Sequence, residues 1–491
     1  MFSAQQLKKF AAKRVTQETF DAAVRENIDD FDMEPEEALK SAVEEFTAQG
    51  VDLSNIIKTL AGGDISNHPA AQAAQRAEGA ARGADPQGAA AAADDVAAAL
   101  VAAEGKEATV EVAAVLHKAS AAPALVRCVP LCAAAPAQEL RILSAVAVLL
   151  GGSRELQNDF LQAHGVAALQ QVLTEQGTDA SLTAAALQAA AAAAAKNEEG
   201  KAALMAAGIG SSSLEAMQRH ADQAEVLQAA CDVLCALTNP DDDTQPASRA
   251  FPNARALAKE GAAKQLVAAL RGHDAHPQPV VTALSTTLKQ VAANDEICQE
   301  VAAAGGMQLA LHILEAGITN ASIARPLCAL LRQLVSSDGN KELFVECGGL
   351  EVLATLLGSQ GNSPAVLEQA LGLLTNVTLR YPEAAARASA CGCLDATLEV
   401  MQVLLASKGT PSGNGKENRA TAVQRQACMA IRNAAVRSPE VRAALLDKGA
   451  EALLRQWSGA AAQDSMKEAT FNWRMLKNFQ PFDAEKPELL F

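Results

Sequence analysis

Aromatic side chains are scarce in this chain: 12 Phe, 2 Trp and 1 Tyr among 491 residues, or 3%. Hydrophobic residues still make up 49%, and alanine supplies much of the difference. Alanine gives up no side-chain entropy in a helix, so such a composition favours helices packed closely together. Basic residues are also in deficit, 41 Lys and Arg against 57 Asp and Glu, for a formal charge of −16. That balance argues against phosphate-backbone binding, which needs a lysine and arginine footprint, and mildly favours basic protein partners. No apolar run reaches the ~18 residues of a membrane span once glycine, glutamine and charged breaks are counted. Cysteine pairs at metal-site spacing are missing too. The nearest candidates, Cys128/Cys132, Cys231/Cys235 and Cys391/Cys393, have no second pair and no histidine at ligand spacing. The ten cysteines therefore read as small buried hydrophobes, no metal or other cofactor is expected, and free thiols in this number suit a reducing, intracellular compartment.

Catalytic patterns are equally lacking. Gly413-Asn-Gly-Lys-Glu has neither the glycine spacing nor the Ser/Thr of a phosphate loop. There is no Gly-x-Ser-x-Gly elbow and no helix with paired zinc-binding histidines. His273 and His276 lie in a Pro-rich turn without further ligands and read as an exposed loop, and Asp241 to Asp243 read as a solvated insertion. The expectation is a protein without enzymatic activity.

What is present is an internal repeat. Asn294-Asp-Glu-Ile-Cys and Asn340-Lys-Glu-Leu-Phe are matching helix starts, leading to Gly305-Gly306 and Gly348-Gly349 and then to leucine-rich runs. Further matches centre on Gly165, Gly208, Gly261, Gly392 and Gly449. The intervals are 43, 53, 45, 43, 43 and 57 residues, and the two long ones contain evident insertions, Asp241 to Pro252 and Gly409 to Asn418. A period of ~43 residues lies in the range of armadillo and HEAT repeats. In each unit glycine supplies a left-handed turn between a short helix and the next one. Leucines at three- and four-residue spacing, as at Leu350, Leu353, Leu356 and Leu357, face the interior. A third helix closes the unit, and stability comes from stacking on neighbours. The fold class expected is all-α, an armadillo-type right-handed helical solenoid over residues 94–460, with Asp94 to Lys118 as its first helix.

Ahead of it, residues 1–61 read as a small helical module and 62–93, rich in Ala, Gly and Pro without periodic large apolar residues, as a flexible linker. In the module Thr16 can cap a helix whose Phe20, Val24, Ile28 and Phe31 share a face; a second helix opens at Pro35, carries Leu39, Val43 and Phe46, and ends at Gly50. Residues 461–491 read as a capping helix, Asp464 to Phe479, and a tail. The stretches Arg14-Val-Thr-Gln-Glu-Thr-Phe-Asp-Ala-Ala-Val-Arg-Glu-Asn-Ile and Gln49-Gly-Val-Asp-Leu-Ser-Asn-Ile-Ile-Lys-Thr resemble the N-terminus of the armadillo repeat-containing protein 6 family. The resemblance runs more loosely through Ala430-Ile-Arg-Asn-Ala and Leu446-Asp-Lys-Gly-Ala-Glu-Ala-Leu and fades after Trp457. It implies a non-enzymatic, intracellular armadillo protein.

In such solenoids the third helices line a groove. Counting sixteen residues back from the marker glycines gives Gln290, Gln333, Asn376 and Asn433, preceded by Lys289, Arg332, Thr375 and Arg432. A carboxamide both donates and accepts, so a ladder of them suits the N–H and C=O groups of an extended peptide, or else satisfies helix ends and turns within the chain itself. The earlier positions are apolar, Leu149, Ala192 and Ala236, which places the candidate groove in the C-terminal repeats. Positions four residues before the ladder are Thr286, Ala329, Gly372 and Met429. The tryptophan array of nuclear-import receptors is therefore missing. The function expected is a monomeric scaffold that binds protein partners, possessing basic or extended segments, along this groove. The alternatives are a structural subunit of a ciliary axoneme or cytoskeletal complex and an assembly adaptor or chaperone.

Overall fold

The computed structural model describes residues 13–15, 17–31, 33–53, 65–242, 247–359, 363–406 and 419–460. It forms two compact units, Met1–Asn253 and Ala254–Phe491. Almost all of the described chain is helical. The exception is a parallel bridge of two residues a side, Lys13–Arg14 (β1) against Val51–Asp52 (β2), which closes the N-terminal module around α1 (Gln17–Asp29) and α2 (Pro35–Ala48). Phe20, Val24, Ala38, Ala42 and Leu53 form its core, with Ile28, Leu39, Val43 and Phe46 partly buried against them. The rings of Phe20 and Phe46 lie 5.8 Å apart, and Gly50 takes the expected left-handed conformation, φ 72°. Phe31, expected on the buried face, is 64% exposed. The helix ends at Asp29, so its periodicity stops before that residue is reached. Thr16 lies outside the described residues.

Of the expected linker 62–93, the described residues 65–93 are mostly helical. They contain α3 (Pro69–Gly83) and the first half of α4 (Pro86–Val101). The His68-Pro69 and Asp85-Pro86 pairs are helix starts: His68 Nδ1 accepts from Ala70 N–H and Asp85 Oδ1 from Gln87 N–H, each with proline at the first helical position where no donor is lost. Ala70, Ala73, Ala74, Ala77, Ala89 and Ala93 are buried, none more than 1% exposed. Methyl groups alone let two helices approach closely, so large apolar residues are not required for packing. The helix expected over Asp94 to Lys118 is in fact two, since α4 ends at Val101 and α5 (Lys106–Lys118) follows Gly105, φ 87°.

From α5 onward the chain is built in threes. In the first unit α5, α6 (Ala121–Leu131) and α7 (Pro136–Leu150) are followed by α8 (Arg154–Gln162), α9 (Gly165–Glu175) and α10 (Ala180–Ala194), then by α11 (Glu198–Ala206), α12 (Ile209–Arg219) and α13 (Ala224–Thr238). The third helices α4, α7, α10 and α13 pack side by side in that order, and so do α3, α6, α9 and α12. Next come α14 (Ala250–Lys259), which spans the unit boundary, α15 (Ala262–Leu270), a short 3-10 turn at His273–Ala275 and α16 (Gln278–Val291). The second unit continues with α17 (Asp295–Ala303), α18 (Gly306–Ala316) and α19 (Ala321–Leu334), then α20 (Asp338–Glu346), α21 (Gly349–Gly358) and α22 (Pro364–Thr378). It closes with α23 (Pro382–Ala390), α24 (Cys393–Ala406), α25 (Arg419–Val436), α26 (Pro439–Asp447) and α27 (Ala450–Ala460). There α16, α19, α22 and α25 form the corresponding layer.

The glycine clock holds with one shift of role. Gly208, Gly261, Gly305, Gly348, Gly392 and Gly449 all have φ between 75° and 87°. At the earliest marker the left-handed residue is His164, φ 61°, and Gly165 does a different job. Like Gly349, it sits where any Cβ would run into a phenylalanine ring, Phe160 in one case and Phe344 in the other.

Asp241 and Asp242, expected in a solvated insertion, are instead engaged by groups of the protein. Lys201 is fully buried, and its ammonium donates to Glu198 Oε1 at 2.9 Å, Asp241 Oδ1 at 2.6 Å and the Asn239 carbonyl at 2.6 Å. Asp242, 9% exposed, accepts from Arg154 at 2.7 Å and from Glu198 N–H at 3.1 Å. The insertion thus ties α8, α11 and the end of α13 together. Lys341 repeats the device in the second unit with Asp338 Oδ1 at 2.6 Å and Leu379 O at 2.9 Å. In both, a buried ammonium meets the carbonyl end of a third helix, where the dipole is negative. Asp243 and the segment Asp464 to Phe479 lie outside the described residues.

All ten cysteines are free, and seven of them are buried. Burial pushes the Cys328 thiol up to about 12 and the Cys128 thiol up to about 11. A thiol reacts as its thiolate. Titration with an aromatic disulfide at pH 8 is therefore expected to modify at most the three partly exposed cysteines, Cys235, Cys347 and Cys391, in the native protein. The rest should appear only on adding denaturant. Rapid native labelling of Cys328 would show that the second unit opens.

Candidate partner-binding face

The predicted residues do fall on one level of four neighbouring helices. Lys289 and Gln290 end α16, Arg332 and Gln333 end α19, Thr375 and Asn376 end α22, and Arg432 and Asn433 lie in the last part of α25. Lys289 is exposed. The other residues of the set are half-buried except Thr375, which is buried. Thr375 Oγ1 lies within hydrogen-bonding distance of Leu371 O, 2.8 Å, and Gln426 O, 3.2 Å.

The carboxamides are partly used within the protein. Gln333 Nε2 donates to Ala292 O at 2.8 Å, Asn376 Nδ2 to Arg332 O at 3.1 Å and Asn433 Nδ2 to Thr375 O at 3.0 Å. Each amide thereby satisfies a carbonyl near the C-terminus of the preceding third helix, one of those a helix leaves without an internal partner. An amide nitrogen carries two hydrogens, so one donor of Gln333 and Asn376 remains beyond these bonds. The oxygen of Asn433 receives the Arg432 side chain, from Nε at 3.3 Å and Nη2 at 3.2 Å. The ladder therefore does both things a carboxamide can do: it staples neighbouring repeats and leaves polar capacity on the face.

Sequence reasoning missed two arginines. Arg325 and Arg425 lie seven residues before Arg332 and Arg432, on the same sides of α19 and α25. A second reading at i−7 along each helix finds them. Arg332 has a seat made for it: a Cβ at Gly372 on α22 would stand 2.7 Å from its guanidinium carbon. Glycine at that position lets the side chain lie across the next helix.

In the first unit the corresponding positions behave differently. A cavity of about 400 Å³ opens there, lined by Leu150, Gly151, Arg154, Gln157, Ala192 and Lys196 among others. The side chains of Gln157 and Arg154 in its lining are already engaged. Gln157 Nε2 donates to Ala192 O at 2.8 Å and Ala195 O at 3.1 Å, and Arg154 holds Lys196 O and Asp242. Ala192, at the level that carboxamides take in the second unit, is among the cavity's lining residues.

Among the described residues there is no cluster of three or more His, Cys, Asp or Glu able to hold a metal ion, and no single helix long and apolar enough to cross a membrane. His273 is not in an exposed loop as expected: its side chain is 13% exposed and its ring lies edge-on to His312, centroids 6.0 Å apart.

Comparison with known proteins agrees with this architecture. Residues 12–81 match the model of the armadillo repeat-containing protein 6 N-terminal domain, and residues 337–379 match the armadillo/beta-catenin-like repeat. The first match extends into α3. The chain is 31% identical over 400 residues to armadillo repeat-containing protein 6 of Homo sapiens, covering 76% of each chain. It is 24% identical over 375 residues to the Drosophila melanogaster homolog, covering 76% of this chain and 78% of that one. A crystal structure of an engineered protein superposes with TM-score 0.62 at 22% identity, over 84% of this chain and 95% of the other, a likeness of fold.

Proposed function

The chain belongs to the armadillo repeat-containing protein 6 family, and on that footing we propose that it is a protein-binding scaffold holding an extended segment of another protein across the third helices of its second unit. The observation that carries this reading is the repetition of a cation or threonine followed by a carboxamide at one level of α16, α19, α22 and α25. A partner strand crossing parallel helices meets the same pair of groups at each step. Its backbone N–H and C=O groups can then be matched one repeat at a time.

The amides also staple the repeats, so truncating them tests binding and stability together. A steric block separates the two. Ala329 is half-buried one turn before Gln333 on α19 and takes no part in the amide bonds, so Ala329→Trp adds bulk at this level while every staple residue is kept. Affinity capture from native lysate, quantified by mass spectrometry, is expected to show selective loss of partners from this variant while its helical circular dichroism and melting match the wild type. An unchanged partner set would overturn the proposal.

A further inference from the structure

We infer that the segment bound on this face is acidic. The inference rests on the scaffold reading and specifies its ligand. The whole-chain charge of −16 points toward basic partners, but the charge is unevenly placed. The third helices of the first unit, α4, α7, α10 and α13, carry five carboxylates and a single cation, Arg141. Those of the second unit, α16, α19, α22 and α25, carry six cations and a single carboxylate, Glu368. The sign of the layer is reversed.

The cations form two rows. Lys289, Arg332 and Arg432 stand beside the carboxamides, and Arg325 and Arg425 stand two turns earlier, ~10 Å along the helix axis at 1.5 Å per residue. Helix dipoles account for only part of this. Lys289 and Arg332 are in last turns, where positive charge is favoured. Arg325 is only the fifth residue of α19, near the positive end, where a cation gains nothing. Among the described residues Lys289, Arg325 and Arg332 have no ion-pair partner, whereas Arg141 in the first unit is paired with Asp94 at 2.5 Å. Like charges in rows on one face repel one another, and a ligand bearing carboxylates relieves that repulsion. Such a surface also draws an acidic segment in and fixes its register.

The chemistry favours a polypeptide over a nucleic acid. None of the four helices contains Phe, Tyr or Trp, so no base has an aromatic plane to stack on. The spare amide donors and acceptors suit a peptide backbone lying between rows of guanidinium groups, which engage carboxylates in pairs.

The test uses the full chain and three fluorescent extended peptides of about a dozen residues, alternating glycine with glutamate, glutamine or lysine. Anisotropy is expected to show the glutamate peptide binding at least about tenfold tighter than the glutamine peptide, an advantage lost as salt rises and the screening length falls. Lys289→Glu with Arg325→Glu, both exposed, should abolish that advantage and confer binding of the lysine peptide. Arg141→Glu in the first unit should change nothing. Equal binding of the glutamate and lysine peptides, tighter binding of single-stranded oligothymidine, or indifference to the double reversal would each overturn the inference. If the charge reversal has no effect but Ala329→Trp still strips partners from lysate, the acidic ligand is wrong and the scaffold stands. If Ala329→Trp alters neither partners nor peptide binding, both fall.

Discussion

Replacing Lys201 by methionine is expected to destabilise the first unit by about 3–5 kcal/mol, the range seen when one partner of a buried ion pair is removed. The ammonium is fully buried and serves Glu198, Asp241 and the Asn239 carbonyl. Methionine fills much of its volume but leaves Glu198, 5% exposed, facing a second carboxylate with nothing between them. Adding Glu198→Gln and Asp241→Asn to Lys201→Met removes the stranded charges and should recover most of the loss. Lys341→Met is the natural control. Its partner Asp338 has a side chain 84% exposed, so water replaces the lost cation and the cost should be about 1–2 kcal/mol, that of the bond to Leu379 O. Hydrogen exchange of Glu198–Ala206 and urea unfolding measure both. A Lys201→Met cost below that of Lys341→Met would show that the buried network is not what holds the insertion.

A second large effect is expected one residue earlier. A Cβ at Gly200 would fall on the carbonyl oxygen of Ala193, in the last turn of α10. Backbone cannot swing aside as a side chain can. Gly200→Ala should therefore force α10 and α11 apart at a cost of about 2–3 kcal/mol, the upper part of the overpacking range, despite alanine's better helix propensity. On propensity alone the same change would stabilise by about 1 kcal/mol. The sign of the change in urea midpoint decides between them. Gly79, with nothing within 4 Å of an added Cβ, is the matched site where Gly79→Ala should stabilise.

The repeat was readable because its signals are local: Gly348 and Gly349 mark the turn, and Leu350, Leu353, Leu356 and Leu357 mark the buried stripe within ten residues. The helices over residues 69–93 leave little trace in a pattern of large apolar side chains, because α3 and the first half of α4 bury alanine methyl groups. The level of Gln333, Asn376 and Asn433 was also legible, since it follows from the period. What those amides bond to was not, because their partners are 41, 44 and 58 residues away. Lys201 and Asp241, forty residues apart, were hidden for the same reason. The reversed sign of the third-helix layer escaped notice because net charge averages over both units.

Those three amide bonds all run one way, from a later helix back to an earlier one. A ribosome delivers the chain from its N-terminus, so α19 emerges with the carbonyl of Arg332 still open, and the side chain that closes it is translated 44 residues afterwards. At these three helices the closing contact therefore trails synthesis of the carbonyl by 41 to 58 residues.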